Sequence, residues 1–233
     1  MPGDNAPNAI ELRDVSCTRD SARLVRVDLA IPEQRLVAFR GEVGDGKELL
    51  LKLVGLLETP DSGEIVVDGI CASALEENAR AELRRRHFAY LFAAPFLLPG
   101  FTVIENVVMP MFKVLDSGPA EARKRAEELL SFLGAAPLEE NRAGDLSPLD
   151  QRRVALARAL ATGPKVLLAE EPADDLPQEQ HRQYIALLRA ACLRWDVTAV
   201  IAVPATWQAN SGEIVFDVVD GKVVPAAQEL PRG

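Results

Sequence analysis

The chain has 233 residues, 48% of them hydrophobic, and a formal net charge of -9, enough apolar content to bury the core of one α/β domain with a subdomain. That negative balance disfavours nonspecific attraction to nucleic acid or to an anionic membrane face, and no apolar run is long enough for direct membrane insertion, so any membrane role must come through a partner. Cys17, Cys71 and Cys192 are odd in number and in no metal-ligand spacing, which predicts reduced structural thiols in a cytosolic protein, and Met1–Asn8 reads as no leader.

Taken in order, Ala9–Val15 and Leu24–Ile31 alternate apolar and polar residues, which predicts two strands of a small antiparallel sheet with one wet face. After a turn at Pro32–Arg35, the short apolar run Leu36–Phe39 suits a strand covered on both faces in a parallel sheet. A glycine-rich segment follows, then a helical pattern over Leu49–Val54. Pro60–Gly63 reads as a turn and Glu64–Gly69 as an edge strand. From Ala72 to about Ala161 the chain reads as mostly helical, with amphipathic spacing over Leu75–Arg86 and Ala120–Leu133 and a break at Leu97–Gly100. Within it, Arg84, Arg85 and Arg86 are read as a solvated helix face. Lys165–Pro172 is a buried strand tipped by the carboxylates Glu170 and Glu171, Thr198–Val203 is the next, and Glu213–Val224 is a closing hairpin with Asp220-Gly221 at its turn. Strands alternating with helices predict an α/β fold with a mostly parallel core sheet. The expected layout is a single domain: core and antiparallel β subdomain at 8–71 and 162–224, an inserted helical subdomain at 72–161, and tails at 1–7 and 225–233.

The segment Gly41-Glu42-Val43-Gly44-Asp45-Gly46-Lys47-Glu48 has the spacing of a phosphate-binding loop. Gly41, Gly44 and Gly46 allow backbone angles that turn successive N–H groups toward a phosphate at a helix N-terminus, and Lys47 adds its charge. The residue after the lysine should carry a hydroxyl for a metal ion and is Glu48 instead. Glu42, Asp45 and Glu48 then oppose one lysine where a triphosphate would bring more negative charge. At an effective dielectric of about 20, one such pair at about 4 Å is worth roughly 4 kcal/mol before screening. Either Mg²⁺ bridges Glu48 to a nucleotide or the loop binds poorly. Glu170 and Glu171 stand where nucleotide hydrolases hold Mg²⁺ and an attacking water.

The phosphate loop, the helical insertion, the run Leu146-Ser147-Pro148-Leu149-Asp150-Gln151-Arg152-Arg153-Val154-Ala155-Leu156-Ala157-Arg158-Ala159-Leu160 and the acid-tipped strand come in an order that resembles the ATP-binding subunit of ABC transporters, a P-loop ATPase fold. Phe92, Leu97-Leu98-Pro99, Thr102 and Glu105-Asn106-Val107 look most like the subgroup serving macrolide and lipoprotein extrusion and the related cell-division complex. The resemblance covers nearly the whole chain. It implies Glu171 as general base, Glu170 in place of the Asp that holds Mg²⁺, and Ser147 with Gln151 in the signature segment that closes a partner's nucleotide.

Set against that family's pattern, the chain departs where chemistry is done. The aromatic that lies under the adenine falls at Arg19, which has a cation–π face or is simply surface. The metal-sensing Gln falls at Ala93, the switch His at Pro204, and the Asp of the dimer-contact loop at Pro177, with Asp174 and Asp175 nearby. Pro148 removes an N–H from the signature and Leu149 places a side chain where backbone should approach phosphate. The expectation is weak binding of ATP and Mg²⁺ and negligible hydrolysis. The chain is read as a degenerate subunit that docks on an integral membrane permease at the cytoplasmic face of the membrane and pairs with a complete ATPase subunit, or with itself in a nearly inactive homodimer. Two alternatives stand beside it, a non-catalytic scaffold or regulator and a slow ATPase using Glu48 and Glu171.

Overall fold

The computed structural model describes residues 7–20, 22–115, 118–210 and 212–226. They fall into two compact units, one within 7–80 and 200–226 and the other within 81–199. In the first unit, β1 (Asn8–Arg19) pairs antiparallel with β2 (Ala22–Pro32), with Ile10 opposite Ile31. Ile10, Leu12, Val15 and Cys17 are buried between wetter neighbours, so one face of the strand is apolar as the alternation predicts. β3 (Leu36–Gly41) has its first four residues buried and delivers the chain to the glycine-rich loop and α1 (Lys47–Val54). β4 (Ser62–Val67) pairs with the other edge of β1, and β5 (Ile70–Cys71) completes a four-stranded antiparallel sheet in the order β2-β1-β4-β5.

The second unit takes up the chain within α2 (Glu77–His87). Arg85 and Arg86 both bind Glu82 on this helix, the solvated face expected of the basic cluster, and their bonds hold the Glu82 carboxyl down at about 2. The helical expectation over 72–161 then needs correction, because Phe88–Leu91 forms a strand, β6. Four residues are too few to display a period, and their strand character comes from parallel pairing with β7 (Val166–Glu170), Phe88 opposite Val166. Val166–Glu170 lies in the same unit as the helices α3 (Val103–Val114), α4 (Pro119–Phe132) and α5 (Pro148–Ala161). Ala122, Ala126, Leu129 and Leu130 of α4 and Val154, Leu156, Ala157 and Leu160 of α5 are at most 1% exposed, the helical spacing of a core-facing stripe. α6 (Gln178–Arg194) buries Tyr184, Ile185, Leu188 and Ala191.

β8 (Thr198–Pro204) leads back into the first unit, where β9 (Ile214–Val219) pairs parallel with β3 and antiparallel with β10 (Lys222–Pro225). The predicted hairpin turn is present, with Asp220 at φ 49° and Gly221 at φ 77°, the left-handed pair that a two-residue turn demands. β10 runs through Pro225, opposite Phe216, and Ala226 N–H reaches the Val215 carbonyl, so the last strand outlasts the expected boundary at Val224. Of the expected tails, 1–6 and 227–233 lie outside the described residues, while the Pro7 carbonyl accepts the Glu33 N–H at 2.9 Å.

One exposed stretch of the second unit, 92–101, is held by buried or half-buried polar side chains. Arg152 is 3% exposed, and its guanidinium donates to the Pro172 carbonyl at 2.6 Å, to the Ala93 carbonyl at 2.8 Å and to the Asp175 carboxylate. Arg158 donates to the Pro95 and Phe96 carbonyls at 2.8 and 2.7 Å. Asn106, 1% exposed, accepts the Leu98 N–H at 2.8 Å and donates to the Leu98 and Thr102 carbonyls at 3.1 and 2.9 Å. Thr102 and Glu105 form a reciprocal capping box at the start of α3, fixing the helix that carries Asn106. The stretch therefore has ordered backbone although Phe92, Phe96, Leu98 and Phe101 are 40% to 67% exposed.

Two stability predictions follow from this strapping. Asn106→Ala takes the acceptor from the half-buried Leu98 N–H, while the Leu98 carbonyl keeps the Phe101 N–H at 3.1 Å, and is expected to cost about 1–2 kcal/mol, read from urea unfolding; an unchanged midpoint would mean that the loop holds itself. Arg152→Met is expected to cost roughly 2–3 kcal/mol through the two lost carbonyl bonds, and Asp175→Asn less than about 1 kcal/mol because that carboxylate is largely in water. Equal losses in the two variants would place the stabilisation in the ion pair instead.

Candidate nucleotide site

The first unit holds the phosphate loop. A Cβ on Gly41 would lie 2.5 Å from the Val218 carbonyl oxygen, so only glycine fits where β3 ends beside β9. Gly44 and Gly46 have φ of 94° and 105°, in the region that side chains disfavour. Gly46 precedes α1 with no side-chain cap, so the first N–H groups of the helix face the loop. The loop thus has the shape its spacing predicts. Its charged side chains have partners within the chain. Lys47 is 1% exposed, its Nζ donates to the Gly41 carbonyl at 3.1 Å, and it lies 3.6 Å from Glu48 Oε1. Asp45 Oδ2 accepts the Glu42 N–H at 3.0 Å, Oδ1 accepts the Asp220 N–H at 3.4 Å, and the Asp45 carbonyl accepts the Gly221 N–H at 3.2 Å.

Arg19 is a strut. Its Nε donates to Glu58 at 3.1 Å, one terminal nitrogen to Asp61 at 2.7 Å and to the Thr18 carbonyl at 2.8 Å, and the other to the Thr59 carbonyl at 2.7 Å. These bonds raise its pKa and pin the 58–61 turn, with the Asp61 carboxyl held below its usual range by Arg19 and by the Thr18 N–H. Pro204 ends β8, and its carbonyl accepts the Trp207 N–H at 3.0 Å. Arg40, which the sequence reading passed over, pairs with Asp217 across β3 and β9 and donates to the Trp207 carbonyl at 3.1 Å. Opposite charges at facing positions of adjacent strands are a sequence signal only once the pairing of those strands is known.

The second unit holds the acids and the signature segment. Glu170 and Glu171 stand half-buried at the end of β7, and Glu171 has φ 41°. A non-glycine residue in that region costs on the order of 1–3 kcal/mol and is characteristic of functional loops. Ser147 caps α5, its hydroxyl accepting the Asp150 N–H at 3.2 Å and donating to Asp150 Oδ2 at 2.6 Å. Asp150 also binds Arg153 at 2.9 Å, and Gln151 donates to the Leu146 carbonyl at 3.2 Å. With Pro148 at the first helical position lacking an N–H, the start of α5 is supplied with its own anion. Ala93 is exposed and takes part through its carbonyl alone in the Arg152 contact, and Pro177 precedes α6 without a side-chain cap. Cys192 is buried, which pushes its thiol up to about 12, and burial raises Cys17 as well, so both are inert packing groups.

The residues present fit a triphosphate and Mg²⁺ poorly. The glycines supply the curvature, but a carboxylate occupies the hydroxyl position after the lysine, and Asp45 already holds a loop N–H. Among the described residues no group of three His, Cys, Asp or Glu side chains is placed to hold a metal ion, and no helix is long and apolar enough to cross a membrane.

Residues 24–174 match the family model for the ABC transporter. The lipoprotein-releasing system ATP-binding protein LolD 1 of Rhodospirillum rubrum is 38% identical over 205 residues, 87% of this chain and 89% of that protein. The LolD protein of Maricaulis maris is 35% identical over 218 residues, 94% and 95% of the two chains. Among solved structures, the dimeric post-hydrolysis state of the ATP-binding cassette MJ0796 bound to ADP and Pi superposes with a TM-score of 0.77 at 28% identity, over 92% of this chain and 96% of that one. A TM-score of 0.83 to cbiO1 from Clostridium perfringens, at 22% identity over 93% of this chain and 87% of that one, supports the fold alone. The family match over residues 24–174, with relatives 35% and 38% identical over most of both chains, makes this protein a member of the ABC transporter ATPase domain family.

Proposed function

We propose that this chain is a degenerate ATP-binding subunit of an ABC transporter complex, one that couples a permease to a complete partner ATPase and hydrolyses little or no ATP itself. The observation that carries the reading is the phosphate loop: Lys47 is buried against the Gly41 carbonyl beside Glu48, and the Asp45 carboxylate lies on the loop's own N–H. The substitutions at Ala93 and Pro204 remove a metal-sensing amide and a phosphate donor that the family pattern places there. Losing one donor of this kind costs on the order of 10²–10³ in rate. Glu171 alone cannot make up such a deficit, since a base needs an ordered water and an electrophile to act on. Asp150 at the start of α5 adds a negative charge where the signature segment would close on a partner's nucleotide.

The permease is proposed as the partner of the exposed stretch 92–101, whose backbone is fixed while its aromatic side chains face solvent. A preorganised apolar patch of this kind marks a binding surface. The names of the LolD relatives suggest a lipoprotein-releasing type of system and thus a place at the cytoplasmic face of the membrane. The self-satisfied loop also favours a second reading, a scaffold with no nucleotide cycle, whereas retention of Glu171 favours a slow ATPase using Glu48 as metal ligand.

In phosphate-release assays the purified chain is expected to show negligible Mg-ATP turnover, unchanged in Glu171→Gln; robust turnover abolished by that substitution would defeat the degenerate reading. Phe96→Glu with Phe101→Glu, both at exposed positions of that stretch, is expected to leave the melting temperature within a few degrees and to weaken binding to the reconstituted permease at least about tenfold. Undiminished binding would move the docking surface elsewhere.

A further inference from the structure

We infer that Asp45 is an internal anion that keeps the phosphate loop closed to nucleotides, and that the Asp220–Gly221 turn holds it there. The inference rests on the reading of a weakly binding loop and adds a cause that Glu48 does not supply. In a cradle built on a glycine-rich turn, the backbone N–H groups are the phosphate ligands. Here the Glu42 N–H, the first after Gly41, points to Asp45 Oδ2 at 3.0 Å. The other carboxylate oxygen takes the Asp220 N–H, and the Asp45 carbonyl takes the Gly221 N–H. Asp45 is therefore bound to the β9–β10 turn through both its side chain and its backbone.

The turn has little freedom to withdraw. Its Gly221 carbonyl accepts the Val25 N–H of β2 at 3.0 Å. A Cβ on Gly221 would stand 2.2 Å from the Arg23 carbonyl oxygen, which measures how closely the turn is pressed against that strand. Gly46 meets the same carbonyl, at 3.2 Å from a Cβ built on it. Phosphate loop, hairpin turn and β2 thus share one crossing, and the carboxylate sits within it. A phosphate oxygen can take the Glu42 N–H only after Asp45 Oδ2 releases it, and the carboxylate, still held by the Asp220 N–H on its other oxygen, repels it.

The test is calorimetric titration of the full chain with Mg-ATP, comparing the wild type with Asp45→Ala, Asp45→Asn and Glu48→Ser. Hydrogen bonds to a charged acceptor translate into roughly tenfold or more in binding, so Asp45→Ala is expected to tighten the dissociation constant at least about tenfold. Asp45→Asn keeps the shape and one acceptor oxygen without the charge, and is expected to give a smaller gain of about threefold. Glu48→Ser alone is expected to change affinity less than Asp45→Ala. Should Asp45→Ala fail to fold, as judged by thermal melting, the isosteric Asn variant decides. If folded Asp45 variants bind no more tightly than the wild type, or if Glu48→Ser alone restores binding, the inference is overturned and the weak-binding reading stands. Tight binding by the wild type overturns that reading itself.

Discussion

A lysine ammonium that is 1% exposed has to be balanced where it lies, because a buried charge without partners is too costly to persist. In the phosphate loop the Gly41 carbonyl and Glu48 supply that balance from within the same turn. Much of the local structure depends on this arrangement. Gly41 can offer its carbonyl because the absence of a Cβ lets β3 end against Val218, and the left-handed angles at Gly44 and Gly46 bring the chain back over it. The result is a loop with the curvature of a phosphate site whose cation is already neutralised by the chain. Function in such a loop turns on which groups hold the lysine more than on the presence of the lysine.

In the second unit a buried arginine plays the comparable structural part. Arg152 joins α5 to the loop after β6 through the Ala93 carbonyl and to the loop after β7 through Pro172 and Asp175. The backbone carbonyl of α5 at the same residue receives the Tyr184 hydroxyl at 3.3 Å, so α6 is attached as well. Four segments therefore meet at one residue, among them the exposed 92–101 stretch and the loop that follows the two acids. Arg152 thereby ties the exposed stretch after β6 to the end of the carboxylate-tipped strand, with Ala93 contributing only its carbonyl.

What could be read from the sequence was whatever is decided locally. Glycine spacing, the helix after it, the alternation in β1 and the Asp220-Gly221 turn each depend on residues a few positions apart, and each stands in the structure where it was expected. What escaped depends on partners distant in the chain. Phe88–Leu91 became a strand through Val166–Ala169, not through any period of its own. Arg19 read as a replaced aromatic, and its bonds to Glu58 and Asp61 span 39 and 42 residues. Asp45 read as one more repelling charge, while its contact with Asp220 spans 175 residues. Arg40 and Asp217 are as far apart, 177 residues, and only the parallel pairing of β3 with β9 makes them neighbours.

The two units solve one problem in the same way. A helix start and a glycine-rich turn both leave N–H groups without internal partners, which is why they attract phosphate. In the first unit Asp45 meets that demand at Glu42 N–H, and in the second the Ser147 hydroxyl meets it at the Asp150 N–H, while the Asp150 carboxylate accepts that hydroxyl and pairs with Arg153. Pro148 reduces the demand further by having no N–H to satisfy. A fold whose donors wait for a ligand gains stability when the ligand binds. One that supplies its own carboxylates has that stabilisation built in, and an incoming phosphate must displace an equivalent partner before it gains anything. Donors met from within the chain in this way hold the curvature of the loop and the start of α5 whether or not a phosphate is bound.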